Sequence, residues 1–208
     1  MFGVIGGTGL DKIEDLIVEK NESIKTPYGP TSEPLTFGVL GQHKVIFLAR
    51  HGKNHSIPPH LINYQANIWA LHSVGVKNLI GINTVGSIET KFMPGDFVFP
   101  NQIIDYTYCR NNTFFDGINS PVKHIDFTFP FDNNLLSSFL NVSKLLKLKH
   151  HVNAVYASVQ GPRLESAAEI DRYGNDGANI VGMTGMPETA LAREIGLNYA
   201  LICPVANH

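Results

Sequence analysis

The chain has 208 residues, 43% hydrophobic and 16% charged, which is long and apolar enough to bury one core and far from a disordered composition. Lysine plus arginine number 16 against 18 acids, without a basic run, which argues against a nucleic-acid binder. Cys109 and Cys203 form no CxxC pair and suit a reducing, cytoplasmic compartment; neither a signal-like start nor a membrane-spanning apolar run is present, so no membrane association is expected.

Taken in chain order, short runs rich in β-branched or aromatic residues predict strands. They fall at Phe2–Ile5, Val45–Ala49, Asn78–Ile82, Phe97–Phe99 running on to Ile103-Ile104, Val152–Val159, Ile180–Val181 and Tyr199–Ile202. Helical patterns lie between them. Tyr64–Ser73 places Ile68, Trp69 and Leu71 on about one face, and Leu135–Leu148 repeats leucine at near-helical spacing. Glu165–Tyr173 and Pro187–Ile195 each end at a glycine, Gly174 and Gly196, as helices often do. Alternating strands and helices predict a single α/β domain over residues 1–208, with a central mixed, largely parallel sheet flanked by helices. Arg110–Pro130, rich in Asn, Asp, Gly, Pro and Phe and without period, predicts a long surface excursion, as a site wall or an interface.

Three turns after predicted strands combine small residues with threonine: Gly6-Gly7-Thr8-Gly9, Thr84-Val85-Gly86-Ser87 and Met183-Thr184-Gly185. Each alone reads equally as a tight turn. Together, at the carboxyl ends of strands, they offer backbone N–H groups and hydroxyls to an anion. Arg50, directly after Val45–Ala49, supplies a planar cation that fits phosphate oxygens, or else a surface salt bridge. His51 and His55 stand four apart, a zinc-like spacing, but Gly52 and Pro58-Pro59 break the helix that spacing requires, so no metal is expected. Glu165 reads either as a first-turn acid of a helix or as an acceptor in a site, and Asn207 either as a turn residue or as a ligand to a base.

The stretches Ile5–Leu10 (IGGTGL), Arg50–Leu71 (RHGKNHSIPPHLINYQANIWAL), Gly95-Asp96, Gly161–Arg163 and Met183–Glu188 (MTGMPE) resemble the methylthioadenosine/purine nucleoside phosphorylase family along nearly the whole chain. The long Arg50–Leu71 block looks like the methylthionucleoside branch. The resemblance implies the nucleoside phosphorylase fold, with phosphate contacts from Thr8, Arg50, His51, Thr84, the Val85 backbone and Thr184. It further implies that Met183 lies against ribose, that Asn207 meets the purine near N7 and position 6 beside His208, and that Glu165 stands near N1. The implied assembly is a homotrimer, with His124 reaching a neighbouring subunit's 5′ end. Family members usually continue past the position of His208, so a final helical region is expected beyond it.

Adenine-using methylthioadenosine phosphorylases carry aspartate and serine where this chain has Asn207 and Glu165. The pair here resembles that of 6-oxopurine enzymes, methylthioinosine phosphorylase among them. A carboxylate accepts from N1–H, and an asparagine amide donates to O6 while accepting from a protonated N7. The expected reaction is phosphorolysis of 5′-methylthioinosine to hypoxanthine and 5-methylthioribose 1-phosphate, with Asn207, Glu165 and His51 as its catalytic groups. Phosphate is a co-substrate, and no metal or organic cofactor is expected. The alternatives within the family are methylthioadenosine and general inosine or guanosine phosphorolysis. Outside it stand a dinucleotide oxidoreductase, which lacks GxGxxG here, a metal hydrolase, a nucleoside hydrolase and a non-catalytic purine-binding module.

Overall fold

Short apolar runs become strands because their branched and aromatic side chains fill both faces of a pleated sheet. The structure, a computed structural model, describes residues 1–7, 13 and 15–208. Its elements in chain order are β1 (Phe2–Gly6), β2 (Leu16–Glu22), β3 (Leu35–Leu40), β4 (His43–Ala49), α1 (Tyr64–Ser73), β5 (Asn78–Ile82), β6 (Val85–Ser87) and β7 (Phe97–Asp105). They continue with α2 (Asn133–Leu145), β8 (His150–Ser158), α3 (Ala167–Asn175), β9 (Ile180–Gly182), α4 (Glu188–Glu194) and β10 (Asn198–Asn207). Among the described helices none is long and apolar enough to cross a membrane. The Arg110–Pro130 excursion holds neither helix nor strand, as its composition predicts.

The strands follow the order β2-β3-β4-β1-β5-β10-β6-β9-β8-β7, and β7 also pairs with β10. The sheet is mixed, with β1, β4, β5 and the first half of β10 parallel. The expected largely parallel central sheet needs correction in part, because the β7–β10 pairing closes β10, β6, β9, β8 and β7 into a barrel. The cause is the length of β10. Asn198–Ile202 run parallel to β5, Cys203-Pro204 then pair antiparallel with Val98 and Phe97, and Val205 and Asn207 reach β6. One strand is thus shared by the open sheet and the barrel. Pro204 lacks an amide donor and reads as a strand end, yet it sits in this strand where two pairings change over.

The parallel registers bring strand ends to one edge. Gly6 lies opposite Ala49 and Ile82, Ile82 opposite Ile202, and Ser158 opposite Gly182. Whatever follows these residues is delivered to that edge, the usual ligand side of an α/β sheet. Below it lies the main core, with Ile5, Leu48, Leu71, Leu79, Tyr199 and Leu201 fully buried, beside a smaller cluster around Ala157, Tyr173 and Val181. The helix α1 is buried on most sides and packs against α4, which in turn lies on β10; α2 covers β10 and β7.

Helix starts and stops refine the reading further. The Glu165–Tyr173 expectation shifts to Ala167–Asn175, because Ser166 is the N-cap and forms a capping box with Glu169. The helix runs through Gly174, which packs close to Ile88, and stops where Gly177 takes φ +94°. For α4 the expected stop holds, with Gly196 at φ +76° just past the end.

Candidate active site

At the shared strand edge lies a cavity of about 570 Å³, within the range of about 300–1,000 Å³ usual for small-molecule sites. Arg50, His51, Thr84, Val85, Thr184, Met183, Glu165, Asn207 and His208 all line it. The sequence placed them on separate turns, and the parallel register brings them together. Thr8 lies outside the described residues, although its neighbour Gly7 lines the cavity. His124 is exposed and does not line it.

Arg50 is fully buried, so its salt bridge is not the surface one that the sequence allowed. Its Nε donates to Glu188 Oε2 at 2.7 Å and its Nη2 to Glu188 Oε1 at 2.9 Å. The same Nη2 donates to Asn83 Oδ1 at 2.8 Å, and Nη1 donates to the Ile82 carbonyl at 3.1 Å. A guanidinium has five N–H donors. One on Nη1 is therefore left, among the described residues, for a ligand in the cavity. Burial works against the charge of Arg50, and the Glu188 carboxylate more than offsets this, holding the guanidinium protonated beyond its ordinary range. Glu188 is itself fully buried and also accepts from Tyr199 Oη at 2.6 Å. The salt bridge of Arg50 is thus in the interior, at the lining of the cavity.

His51 follows Arg50 and is nearly buried. Its Nδ1 lies 2.9 Å from the Ile57 carbonyl. A carbonyl only accepts, so Nδ1 carries the proton and Nε2 keeps its lone pair. Burial lowers the pKa to about 4, helped by Arg50 and His55 and opposed by the Ile57 carbonyl. At neutral pH His51 is therefore an acceptor, suited to a P–OH or a sugar hydroxyl. Its ring stacks on His55 at a centroid distance of 4.1 Å. Thr84 stands exposed at the cavity wall and Thr184 buried beside it.

The rest of the lining draws on two loop ends and a strand end. Glu165 immediately precedes the N-cap Ser166, so it is not a first-turn acid; Glu169 has that place. This leaves Glu165 on the cavity wall. Asn207, at the end of β10, pairs with Gly86 of β6 and so stands beside the Thr84–Ser87 turn. Met183 packs against Gly161, where a Cβ would come within 2.5 Å of Met183 Sδ; Gly161 also has φ +63°. Only glycine fits that position.

Glu188 and Asn83 were not legible as site residues. Glu188 opens α4 and reads as an ordinary acid at a helix start, since nothing local reveals that it is buried under a strand-end arginine. Asn83 precedes the Thr84 turn, lines the cavity, and has a buried Nδ2 without a partner among the described residues.

Known proteins share this arrangement of chain. The sequence is 46% identical over 206 residues, 99% of this chain and 82% of the relative, to a probable S-methyl-5'-thioinosine phosphorylase of Xanthomonas campestris pv. campestris. It is 45% identical over 214 residues, 100% of this chain and 79% of the relative, to a 6-oxopurine nucleoside phosphorylase of Pyrococcus furiosus. Among solved structures, methylthioadenosine phosphorylase from Schistosoma mansoni in complex with adenine superposes with a TM-score of 0.93 at 32% identity, covering 98% of this chain and 80% of that one. The sequence profile of the phosphorylase superfamily matches residues 1–208. A match of that extent, on a fold whose strand ends converge on one cavity, establishes that the chain belongs to the phosphorylase superfamily.

Proposed function

We propose that the chain catalyses phosphorolysis of 5′-methylthioinosine, giving hypoxanthine and 5-methylthioribose 1-phosphate in purine salvage. The observation that carries this reading is that Arg50 and Thr84 share one cavity with Glu165 and Asn207. An anion on the first pair and a purine on the second would face each other across one sugar carbon.

In this reading phosphate is held by the Nη1 N–H of Arg50 that has no partner among the described residues, by Thr84 and Thr184, and by the Val85 backbone. His51 Nε2 accepts the phosphate's own hydroxyl. Because Glu188 already offsets the charge of Arg50, the grip relies on directed donors more than on net charge. As the glycosidic bond stretches, positive charge grows on the ribose beside Met183 and negative charge on the purine. The phosphate dianion stabilises the first and then captures C1′. The departing purine takes a proton at N7 from solvent; Asn207 accepts from that N7–H and donates to O6, while Glu165 accepts from N1–H. The reaction draws on these side chains and inorganic phosphate, without a metal or organic cofactor. His124, outside the cavity and exposed, is suited to completing a neighbouring subunit's site in a homotrimer.

The base choice follows from donor and acceptor matching. Adenine presents an N1 acceptor to the Glu165 carboxylate, and each buried mispairing of that kind costs about 1–3 kcal/mol. Methylthioinosine, methylthioadenosine and inosine assayed side by side test it. The wild type is expected to favour methylthioinosine. Glu165→Ser combined with Asn207→Asp is expected to move the 6-oxo to 6-amino preference toward methylthioadenosine by at least about 10-fold. A preference unmoved by the double change would remove these residues from base recognition.

A further inference from the structure

We infer that Arg110 is a positioning residue for nucleoside cleavage, a clamp outside the cavity that sets the spacing of three of its walls. Arg110 does not line the cavity. Its guanidinium nevertheless reaches the backbone behind each wall. Nη2 donates to the carbonyls of Gln160 at 2.8 Å and Val159 at 3.3 Å, on the loop that leads to Glu165. Nη1 donates to the carbonyls of Met183 at 2.9 Å and Met186 at 2.6 Å, on the loop that carries Met183 and Thr184. Nη1 also donates to Tyr64 Oη at 3.2 Å, and that hydroxyl donates to the carbonyl of Pro59, itself a lining residue. Nε donates to Gln160 Oε1 at 3.1 Å, which also accepts from the amide of Tyr108.

These acceptors have no common secondary structure. The barrel brings the ends of β8 and β9 side by side, and the loops beyond them are tied by the Val159 amide to the Gly182 carbonyl and the Met186 amide to Ser158 Oγ rather than by a continued ladder. A planar fork with five donors spans several carbonyls at fixed angles, whereas a lysine offers one pivoting ammonium. The geometry of Arg110 therefore couples the place of the base-contacting Glu165 to that of the ribose-facing Met183. The kinetic part of this inference rests on the nucleoside reading above; the clamp itself does not.

Two variants, Arg110→Met and Arg110→Lys, test it with two readouts. The first is hydrogen exchange at the amides of Val159 and Met186, which donate to the Gly182 carbonyl and Ser158 Oγ at 2.9 Å each. Both amides are expected to exchange at least about 10-fold faster in either variant, with lysine giving no rescue. The second is steady-state kinetics with methylthioinosine and phosphate varied separately. Nucleoside kcat/KM is expected to fall at least about 30-fold and phosphate KM to rise less, since Thr184 rides on the clamped loop while Arg50 is fixed independently by Glu188. Unchanged exchange at both amides overturns the clamp even if no nucleoside is cleaved. Equal rises in both KM values, or a fully active Arg110→Lys enzyme, overturn the positioning role. A wild-type enzyme that cleaves no purine nucleoside refutes the function proposed above and leaves the exchange result to decide the clamp.

Discussion

Arg50 has one observed charged partner, the buried Glu188 carboxylate that fixes its plane, and the proposed function adds a phosphate at its remaining Nη1 N–H. Removing one member of a buried pair leaves the other charged and unsolvated, so Arg50→Ala is expected to destabilise the fold by about 3–5 kcal/mol. Replacing both members with apolar residues of similar size, Arg50→Met with Glu188→Leu, should recover much of that loss. Phosphate use should not recover. Denaturant unfolding and phosphate KM on the same three proteins separate the two roles, and a double variant with normal phosphate KM would take Arg50 out of the site. His51 makes a separate prediction about pH. Its pKa is about 4 in the fold against 6.5 for an ordinary imidazole. Between those values the unfolded chain binds the extra proton, so stability is complete above pH 6.5 and is lost as pH falls toward 4. Wild type should lose thermal stability over that window and His51→Gln should lose less; superimposable pH curves would contradict the buried, neutral ring.

At the scale of elements, the cap of α3 decides where Glu165 stands. The Ser166 side chain accepts from the Glu169 amide, and Glu169 answers by accepting from the Ser166 amide and from Arg163. Ser166→Ala is expected to cost about 1 kcal/mol in chemical denaturation, with nucleoside KM rising as Glu165 loses its fixed entry to the helix. A variant of unchanged stability would show the box to be incidental. The same elements show what a sequence reveals. The helix α1 is legible to the residue, because YQANIWALHS is bounded by the capping Asn63 and the Gly75 turn. The strands β2 and β3 are not, since β2 is an almost wholly exposed edge with Ile17 and Val18 in solvent, and so lacks the buried alternation that marks a strand. Three-residue β6 reads as a turn because it is both the end of one turn and the start of a ladder.

For the whole molecule, the decisive feature is β10, which begins in the open sheet and ends in the barrel. Its pairing with β7 joins residues distant in sequence and has no local signature, so barrel closure was not legible while the α/β class was. The candidate site was legible where a residue sits at a strand end: Arg50 directly after β4, Thr84 two residues past β5, Met183 directly after β9, and Asn207 as the last residue of β10. What could not be read was burial, and with it the Glu188 partner and the neutral His51. The proposal that an anion and a purine meet in one cavity is most directly tested by the release of hypoxanthine from 5′-methylthioinosine with and without inorganic phosphate, the sugar product being identified each time. The expected result is base release that requires phosphate and yields 5-methylthioribose 1-phosphate in equal amount. Base release at the same rate without phosphate, with free methylthioribose as the product, would contradict it.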